Sequence, residues 1–161
     1  GDLAHGGVND SGLLHPEMGH IRIPHDLSAD PYPGSCPFHG DCLEGLACGV
    51  AIEGRWGKPA AELAGDERVW NLEAAYLAAG IVDMLLVLSP EIVIIGGGVM
   101  RNETLLPKIR EKTAGLLNGY VAAEPLLSRM DVYIVPPGLG ELSGIAGGFV
   151  LAEEALAAAG G

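Results

Sequence analysis

Basic residues are scarce in this sequence. Lysine and arginine together number 9, against 21 aspartates and glutamates in 161 residues, which gives a formal net charge of −12. A protein that binds nucleic acid needs cationic surface to displace counterions from the phosphates, and an anionic membrane surface attracts the same kind of surface. The composition therefore argues against both kinds of partner.

Long hydrophobic runs are absent as well. The longest, residues 81–88, is interrupted by Asp83 and is shorter than the roughly 20 residues that cross a bilayer. The sequence shows no leader, so we expect a soluble cytoplasmic protein. It starts at Gly1 without an initiator methionine, so we expect a fragment or a processed piece.

Histidine and cysteine are missing from residue 49 to the end, although 48% of the chain is hydrophobic and its length allows one domain or two small lobes with a buried core. Four of the five histidines and two of the three cysteines lie within residues 13–45. Core packing does not explain why histidines and cysteines are concentrated in one segment, whereas a single binding site that uses them does. Zinc prefers thiolate and imidazole ligands, usually four in a tetrahedron.

The short spacing of Cys36, His39 and Cys42, as C-x2-H-x2-C, lets one tight loop present three ligands to a point. We call residues 36–42 the metal loop. His20 can supply a fourth ligand from a neighbouring strand, and the sequence thus predicts a zinc site at these four residues, the metal quartet.

Other interpretations of these residues remain open. Cys36 and Cys42 could form a disulfide, although three cysteines are an odd number and the sequence lacks a leader. The histidines could be ordinary surface residues, and we interpret His15 and His25 in that way. Cys48 follows at helical spacing and is interpreted as a small buried hydrophobic residue.

Helical patterns dominate the middle of the chain. Residues 41–55 suggest a helix interrupted at Gly49, with Asp41 as its N-cap and Glu44 at the third helical position. The strongest helix is predicted at residues 68–88, with its second half buried, because apolar residues nearly surround it there. Shorter elements are predicted as a polar hairpin or loop at 2–12, a strand at 20–23 and a helix at 58–64.

The C-terminal part alternates strands and helices. Two runs of β-branched residues, at 91–95 and 131–135, are typical of strands covered on both faces. Each leads through a glycine-containing turn into a predicted helix, at 102–118 with Asn102 as N-cap, and at 141–158. This order predicts a βαβα unit with parallel strands, whose ligands bind at the carboxyl ends of the strands. Neither turn is a full G-x-G-x-x-G, so each is equally well explained as a tight connection.

Four motifs together resemble one known family. They are HPEMGH at residues 15–20, CPFHGDCLEG at 36–45, AIEGRWG at 51–57 and IIGGGVM at 94–100. The chain resembles the ROK family of sugar kinases and repressors over nearly its whole length. His39, where many relatives have a third cysteine, points to the bacterial fructokinase branch.

This resemblance implies an α/β chain with the actin-like, ribonuclease-H-like fold of sugar kinases, and ATP-dependent phosphorylation of a hexose with Mg2+ as cofactor. It implies that Glu17, His20 and Glu44 contact the sugar, and that Zn2+ is structural. Surface charge and helix capping remain the alternatives for the two glutamates. Residues 1–48 would form the sugar and zinc segment, and residues 49–161 the C-terminal lobe. The residues implied for ATP are Val50, Gly96, Gly97, Gly98, Val99 and Gly140; many relatives have proline at position 50.

The family's phosphate-binding D-x-G-G-T turn does not occur in the sequence. Its catalytic aspartate lies in an N-D-x-N motif, and Asp10 of Asn9-Asp10 is too close to Glu17 to be its equivalent. We therefore expect the C-terminal half of a kinase, inactive alone, whose partners are the N-terminal lobe and, as in relatives, a second copy. Fructose is the expected hexose, with mannose and glucose open. A ROK-type regulator domain and a zinc-stabilised interaction domain are the alternatives.

Overall fold

A computed structural model describes residues 17–159. The predictions for the loop at 2–12, for Asp10 and for His15 lie outside the described residues. The helices are α1 (Leu43–Leu46), α2 (Gly49–Trp56), α3 (Glu67–Leu88), α4 (Leu105–Leu117), α5 (Glu124–Ser128), α6 (Met130–Tyr133) and α7 (Ser143–Ala159), the strands are β1 (Val93–Ile94) and β2 (Ile134–Val135), and single 3-10 turns lie at Met18–His20, Ala60–Leu63, Gly98–Arg101 and Gly140–Leu142.

The long helix α3 organises the chain, and its predicted bounds are confirmed to within one residue. Asp66 precedes it and accepts a hydrogen bond from the backbone N–H of Arg68 at 3.1 Å. Its second half is less buried than predicted, since Leu86 is 52% exposed and Val87 82%. Only one side of this half packs into the main core, which joins α3 to α4 and β2 through buried residues that include Val69, Trp70, Ile81, Leu85, Leu105, Ile109 and Ile134.

By length and composition alone, α3 is apolar enough to cross a membrane, contrary to the expectation that no such segment exists. The core helix of a soluble protein passes the same test. Nine of the 22 residues of α3 are buried within this chain, including Glu73, which carries a carboxyl group. The helix thus supplies part of the main core.

The predicted parallel strand pair is confirmed, but both strands are short. Val93 pairs with Ile134 and Ile94 with Val135. The prediction that β1 is covered on both faces is wrong, because Ile94 is 62% exposed. The second strand begins three residues later than predicted, because residues 130–133 form a helical turn. Arg110 of α4 stabilises this turn by donating to the carbonyl oxygens of Asp131 and Ile134.

The predicted helix at 41–55 is two helices. The break comes after Leu46, and α2 begins at Gly49 with the sulfur of Cys48 accepting from the backbone N–H of Ala51 at 3.4 Å. Cys48 is therefore a half-buried helix cap, which corrects its interpretation as a buried hydrophobic residue.

The predicted capping box at the start of the same segment is wrong. Cys42 occupies the N-cap position without a side-chain capping bond. The Asp41 carboxylate turns away from the helix to the guanidinium of Arg22 and the ring of His25, because a hydrogen bond from the charged guanidinium is stronger than one from a helix N–H group.

The helix predicted at 102–118 starts three residues later, at Leu105, and its N-cap is Thr104 rather than Asn102. The Asn102 side chain instead accepts from the backbone and hydroxyl of Thr104, and donates to the carbonyl of Ala64.

The last predicted helix is confirmed as α7. The short helix predicted behind Pro59 is a 3-10 turn.

A second, smaller cluster lies between α3 and the segment that carries the metal loop. Ile23, Leu43 and Leu46 pack there around Tyr76 of α3. The loop is thus built on the same helix that supports the main core. A division of the chain at residue 48 stays a prediction.

Candidate metal centre and glycine-lined cavity

The metal loop closes on itself through its backbone. Gly40 donates to the carbonyl of Cys36 at 2.9 Å, and Cys36 donates back to Gly40 at 3.2 Å. Gly40 has φ +67°, a conformation that side chains with a Cβ rarely adopt. The strand predicted at 20–23 is reduced to a single bridge between Arg22 and Cys42, which brings His20 beside the loop.

The structure brings the metal quartet together. One ligand atom from each of its four residues lies within 4.8 Å of the others. Nδ1 of His20 is 3.7 Å from both Cys36 Sγ and Cys42 Sγ, and Nδ1 of His39 is 3.7 Å from Cys36 Sγ. Zinc–sulfur and zinc–nitrogen bonds of about 2.3 and 2.1 Å place neighbouring ligands of a tetrahedron about 3.6 Å apart. The four residues therefore fit a zinc ion.

The two cysteines of the quartet are free thiols that differ in acidity. Burial alone raises the pKa of the Cys36 thiol, but hydrogen bonds from the backbone N–H groups of His39 and Phe38 outweigh it and bring this pKa to about 6. Burial, and then the neighbouring Cys36, raise the pKa of Cys42. One thiolate is thus available at neutral pH, and a bound cation would favour ionisation of the second.

Glu44 and His20, two of the three residues implied for the sugar, lie side by side at the edge of the quartet. Nε2 of His20 is 3.4 Å from Oε2 of Glu44, whose side chain is 47% exposed. Because Nδ1 of the same ring faces the sulfurs, a ring fixed by metal would hold Nε2 towards Glu44. Glu17, which is exposed, is the N-cap residue of the 3-10 turn Met18–His20. This edge offers carboxylates to hydroxyl groups in solvent.

Sequence reasoning missed a buried polar cluster behind the loop. The interpretation of His25 as a surface residue is wrong, since its side chain is 3% exposed and contacts Asp30 and Asp41. Burial opposes ionisation of Asp30, but hydrogen bonds from Tyr76 and the charge of Arg55 keep its pKa below the ordinary value. Burial, followed by Asp30, raises the pKa of Tyr76. No spacing pattern in the sequence predicts this cluster, because Tyr76 lies 46 residues from Asp30.

A cavity of about 950 Å³ lies at the carboxyl ends of β1 and β2, the edge that parallel strands predict for ligands. Four of the six residues implied for ATP line it: Gly96, Gly97, Gly98 and Gly140. The remaining two do not. Val99 packs against the main core, and Val50 is 68% exposed on α2.

Comparisons with known proteins agree on the type of protein. A "Putative fructokinase" of Bacillus subtilis (strain 168) is 47% identical over 147 residues, which are 91% of this chain and 49% of that protein. A fructokinase of Pediococcus pentosaceus is 44% identical over 146 residues, with the same shares of 91% and 49%. The chain thus spans about half the length of the curated relatives it matches, and corresponds to their C-terminal part.

A solved structure supports the same assignment of fold. The ROK hexokinase from Thermus thermophilus superimposes with a TM-score of 0.59 at 26% identity, over 80% of this chain and 44% of that one. This likeness is consistent with the expected actin-like fold of sugar kinases. The sequence profile described as the ROK family matches residues 4–155. With nearly its whole length matched, the chain belongs to the ROK family.

Proposed function

We propose that this chain is the C-terminal half of an ATP-dependent hexose kinase, and that its hexose is fructose, phosphorylated to fructose 6-phosphate. The observation that carries the proposal is the close contact between the Glu44 carboxylate and His20, a member of the metal quartet, at the solvent-exposed edge of that quartet. The names of the relatives favour a kinase over a regulator or an interaction domain.

In this proposal the sugar side belongs to residues 1–48. The carboxylates of Glu17 and Glu44 accept hydrogen bonds from vicinal hydroxyls, and His20 donates from Nε2. Zn2+ would be held by the metal quartet and would supply rigidity, with no Lewis-acid role on phosphate. The exposure of Glu44 leaves its oxygens available to a ligand, since the ring of His20, 3.4 Å away, is the only ionisable side chain paired with it among the described residues.

The nucleotide side belongs to residues 49–161. The glycine-lined cavity has room for an adenine nucleotide, and its glycines allow close approach of a ligand to the backbone. Gly97 has φ +101°, a backbone conformation that residues with a Cβ rarely adopt. Val99 and Val50 would then act from behind the cavity or by backbone contact. Mg2+ would enter with ATP, and the base for the attacking hydroxyl would come from the N-terminal half.

We also propose that the N-terminal half packs on α7. Apart from Ser143, Glu153 and Glu154, this helix consists of glycine and apolar residues, and Ile145, Phe149, Leu151 and Leu156 are each more than 60% exposed. A helix of that composition is normally buried. Since the relatives are twice as long as this chain, their other half is the natural cover. A homodimer of the complete enzyme, a cytoplasmic location and the lack of a nucleic-acid or membrane partner are part of the same proposal.

Sugar binding tests the proposed function. We expect saturation-transfer NMR on the zinc-loaded chain to detect fructose more strongly than mannose or glucose. Glu44→Gln should weaken the binding about tenfold or more, because a hydrogen bond to a charged group is lost. Glu62→Gln, a change at an exposed glutamate elsewhere in the chain, is the matched control. Equal binding by all three proteins, or sugar-dependent ATP consumption by this chain alone, would contradict the proposal.

A further inference from the structure

A continuous set of buried polar contacts connects the metal loop to the interior. Asp41 lies in that loop, between the quartet members His39 and Cys42. Its Oδ2 is 3.2 Å from Nδ1 of His25, whose other ring nitrogen, Nε2, is 3.0 Å from the backbone carbonyl oxygen of Asp30. The ring of His25 therefore bridges the loop to the segment behind it.

That segment is itself fixed to two helices. The Asp30 carboxylate accepts from the hydroxyl of Tyr76 on α3 at 2.6 Å and from Nε of Arg55 on α2 at 3.0 Å. Arg55 also donates to the carbonyl of Leu46 at 3.1 Å, at the end of α1. Both Asp30 and Arg55 have side chains only 6% exposed, so these bonds are protected from competing water.

Both ring nitrogens of His25 face acceptors, a carboxylate and a carbonyl, so the nitrogen that carries hydrogen has a partner on either side of the ring. Three carboxylates and an aromatic ring surround it. Asp26 and Asp30 lie on its own segment, Asp41 on the metal loop, and from α3 the edge of the Tyr76 ring approaches, with ring centroids 6.0 Å apart.

The loop has few other attachments through side chains. Arg22 forms an ion pair with Oδ1 of Asp41 at 2.6 Å and donates to the carbonyl of His39, but the Arg22 side chain is 63% exposed. Exposed ion pairs contribute little, because water and salt screen them. Phe38 at the tip of the loop is 83% exposed. Among the described residues, His25 is thus the buried side chain that connects Asp41 of the loop to the interior.

We propose that His25 is a positioning residue for the metal centre: by holding Asp41 against the Asp30–Arg55–Tyr76 cluster, it sets the geometry in which the metal loop presents its ligands. This inference rests on the proposed zinc site. Asp41 contacts no metal in it; His25 acts on the ligands through the backbone of the loop. Outer residues that orient metal ligands commonly change metal affinity by about 10–100-fold when they are removed.

Zinc affinity, measured by chelator competition, tests this role. We expect His25→Phe to weaken zinc binding by about 10–100-fold. His25→Asn, whose amide reaches the position of Nδ1, should keep most of the affinity, whereas His25→Gln, whose amide reaches the position of Nε2, should lose it. Trp70→Phe is the control, because it removes a buried bond of α3, Nε1 to the carbonyl of Leu63 at 2.8 Å, away from the loop.

Cobalt supplies a readout that lower stability alone does not change. The visible d–d spectrum of the bound Co2+ should shift in His25→Phe and stay unchanged in Trp70→Phe, since only the first alters the arrangement of ligands. Should His25→Phe not fold, the ranking of Asn above Gln decides. Two results would overturn the positioning role while leaving the zinc site intact. One is that His25→Asn and His25→Gln bind zinc with equal affinity. The other is that His25→Phe binds zinc with wild-type affinity and its cobalt spectrum superimposes on that of the wild type. A wild-type chain that binds no zinc would overturn the site and this inference with it.

Discussion

At the scale of single residues, Glu73 is costly to bury as an ion. It is 1% exposed, and neither carboxyl oxygen has a hydrogen-bond partner among the described residues. Burial raises its pKa from an ordinary 4.5 to about 8, against the opposing charge of Arg55. The folded chain therefore holds a proton that the unfolded chain releases near pH 4.5.

This difference predicts how stability depends on pH. Because the folded state binds the proton more tightly, the contribution of Glu73 to stability falls as pH rises from about 4.5 to about 8 and is constant above. Each unit of pKa shift corresponds to about 1.4 kcal/mol, so the loss amounts to a few kcal/mol. Urea unfolding of Glu73→Gln across this range should show a flatter profile and a more stable protein at pH 8.

The control for that prediction is Glu111→Gln, at an exposed position of α4. It removes the same charge without removing a buried carboxyl group, so its pH profile should follow that of the wild type. A Glu73→Gln profile parallel to the wild type would mean that Glu73 is ionised or solvated in the folded chain.

Residue types and spacing were enough to predict that the four residues of the metal quartet lie together. Its four members are the residues that zinc prefers, and three of them lie within seven positions of the chain. The role of His25 could not be predicted in that way. Its burial comes from packing against Tyr76, far along the sequence, and a histidine among polar residues gives no local signal of such a contact.

At the scale of elements, the contact between α1 and the metal loop depends on the absence of a side chain. A Cβ on Gly45 would overlap the carbonyl oxygen of Gly40. The carbonyl of Gly45 in turn accepts from the backbone of Ser35 at 2.9 Å, just before the loop begins. The helix and the loop thus meet backbone to backbone.

We therefore expect Gly45→Ala to push the loop away from α1, at a cost of about 1–3 kcal/mol in unfolding free energy and with weaker zinc binding. Gly49→Ala is the matched change, since a Cβ there meets nothing within 4 Å. It should alter stability by no more than about 0.5 kcal/mol. Thermal unfolding with and without zinc distinguishes the two. A Gly45→Ala protein as stable as Gly49→Ala would disprove the close contact.

Elements with a long, regular pattern were predicted well, and short ones were not. The apolar periodicity of α3 extends over 22 residues, and its bounds differ from prediction by one residue. The run of β-branched residues at 131–135 gave two paired residues, Ile134 and Val135, instead of five, because the bonds from Arg110 favour a helical turn at its start. Local propensity does not contain information about a side chain that arrives from another helix.

At the scale of the whole molecule, the chain exposes apolar surface that is normally covered. Large apolar side chains are exposed along α7 on either side of Glu153 and Glu154, and Ile94 of β1 is exposed as well. Surface of this kind marks an interface. We attribute it to the half of the kinase that the relatives have in addition to this part.

Co-expression tests this attribution. We expect the chain to co-purify one-to-one with the N-terminal half of the Bacillus subtilis relative, and Phe149→Glu to abolish the complex by placing a charge in the interface. Leu116→Glu changes an exposed leucine on α4, outside α7, and should leave the complex intact. A chain that pairs only with itself through α7 would show that a second copy covers the helix instead.

We propose that two imidazoles and two thiolates hold one zinc ion beside the proposed sugar edge. Elemental analysis of the chain, refolded with zinc and desalted, measures that ion itself. We predict one zinc per chain for the wild type and for Cys48→Ser, whose cysteine lies outside the quartet, and almost none for Cys42→Ser. A wild-type chain without stoichiometric zinc, or a Cys42→Ser chain that retains it, would contradict the claim.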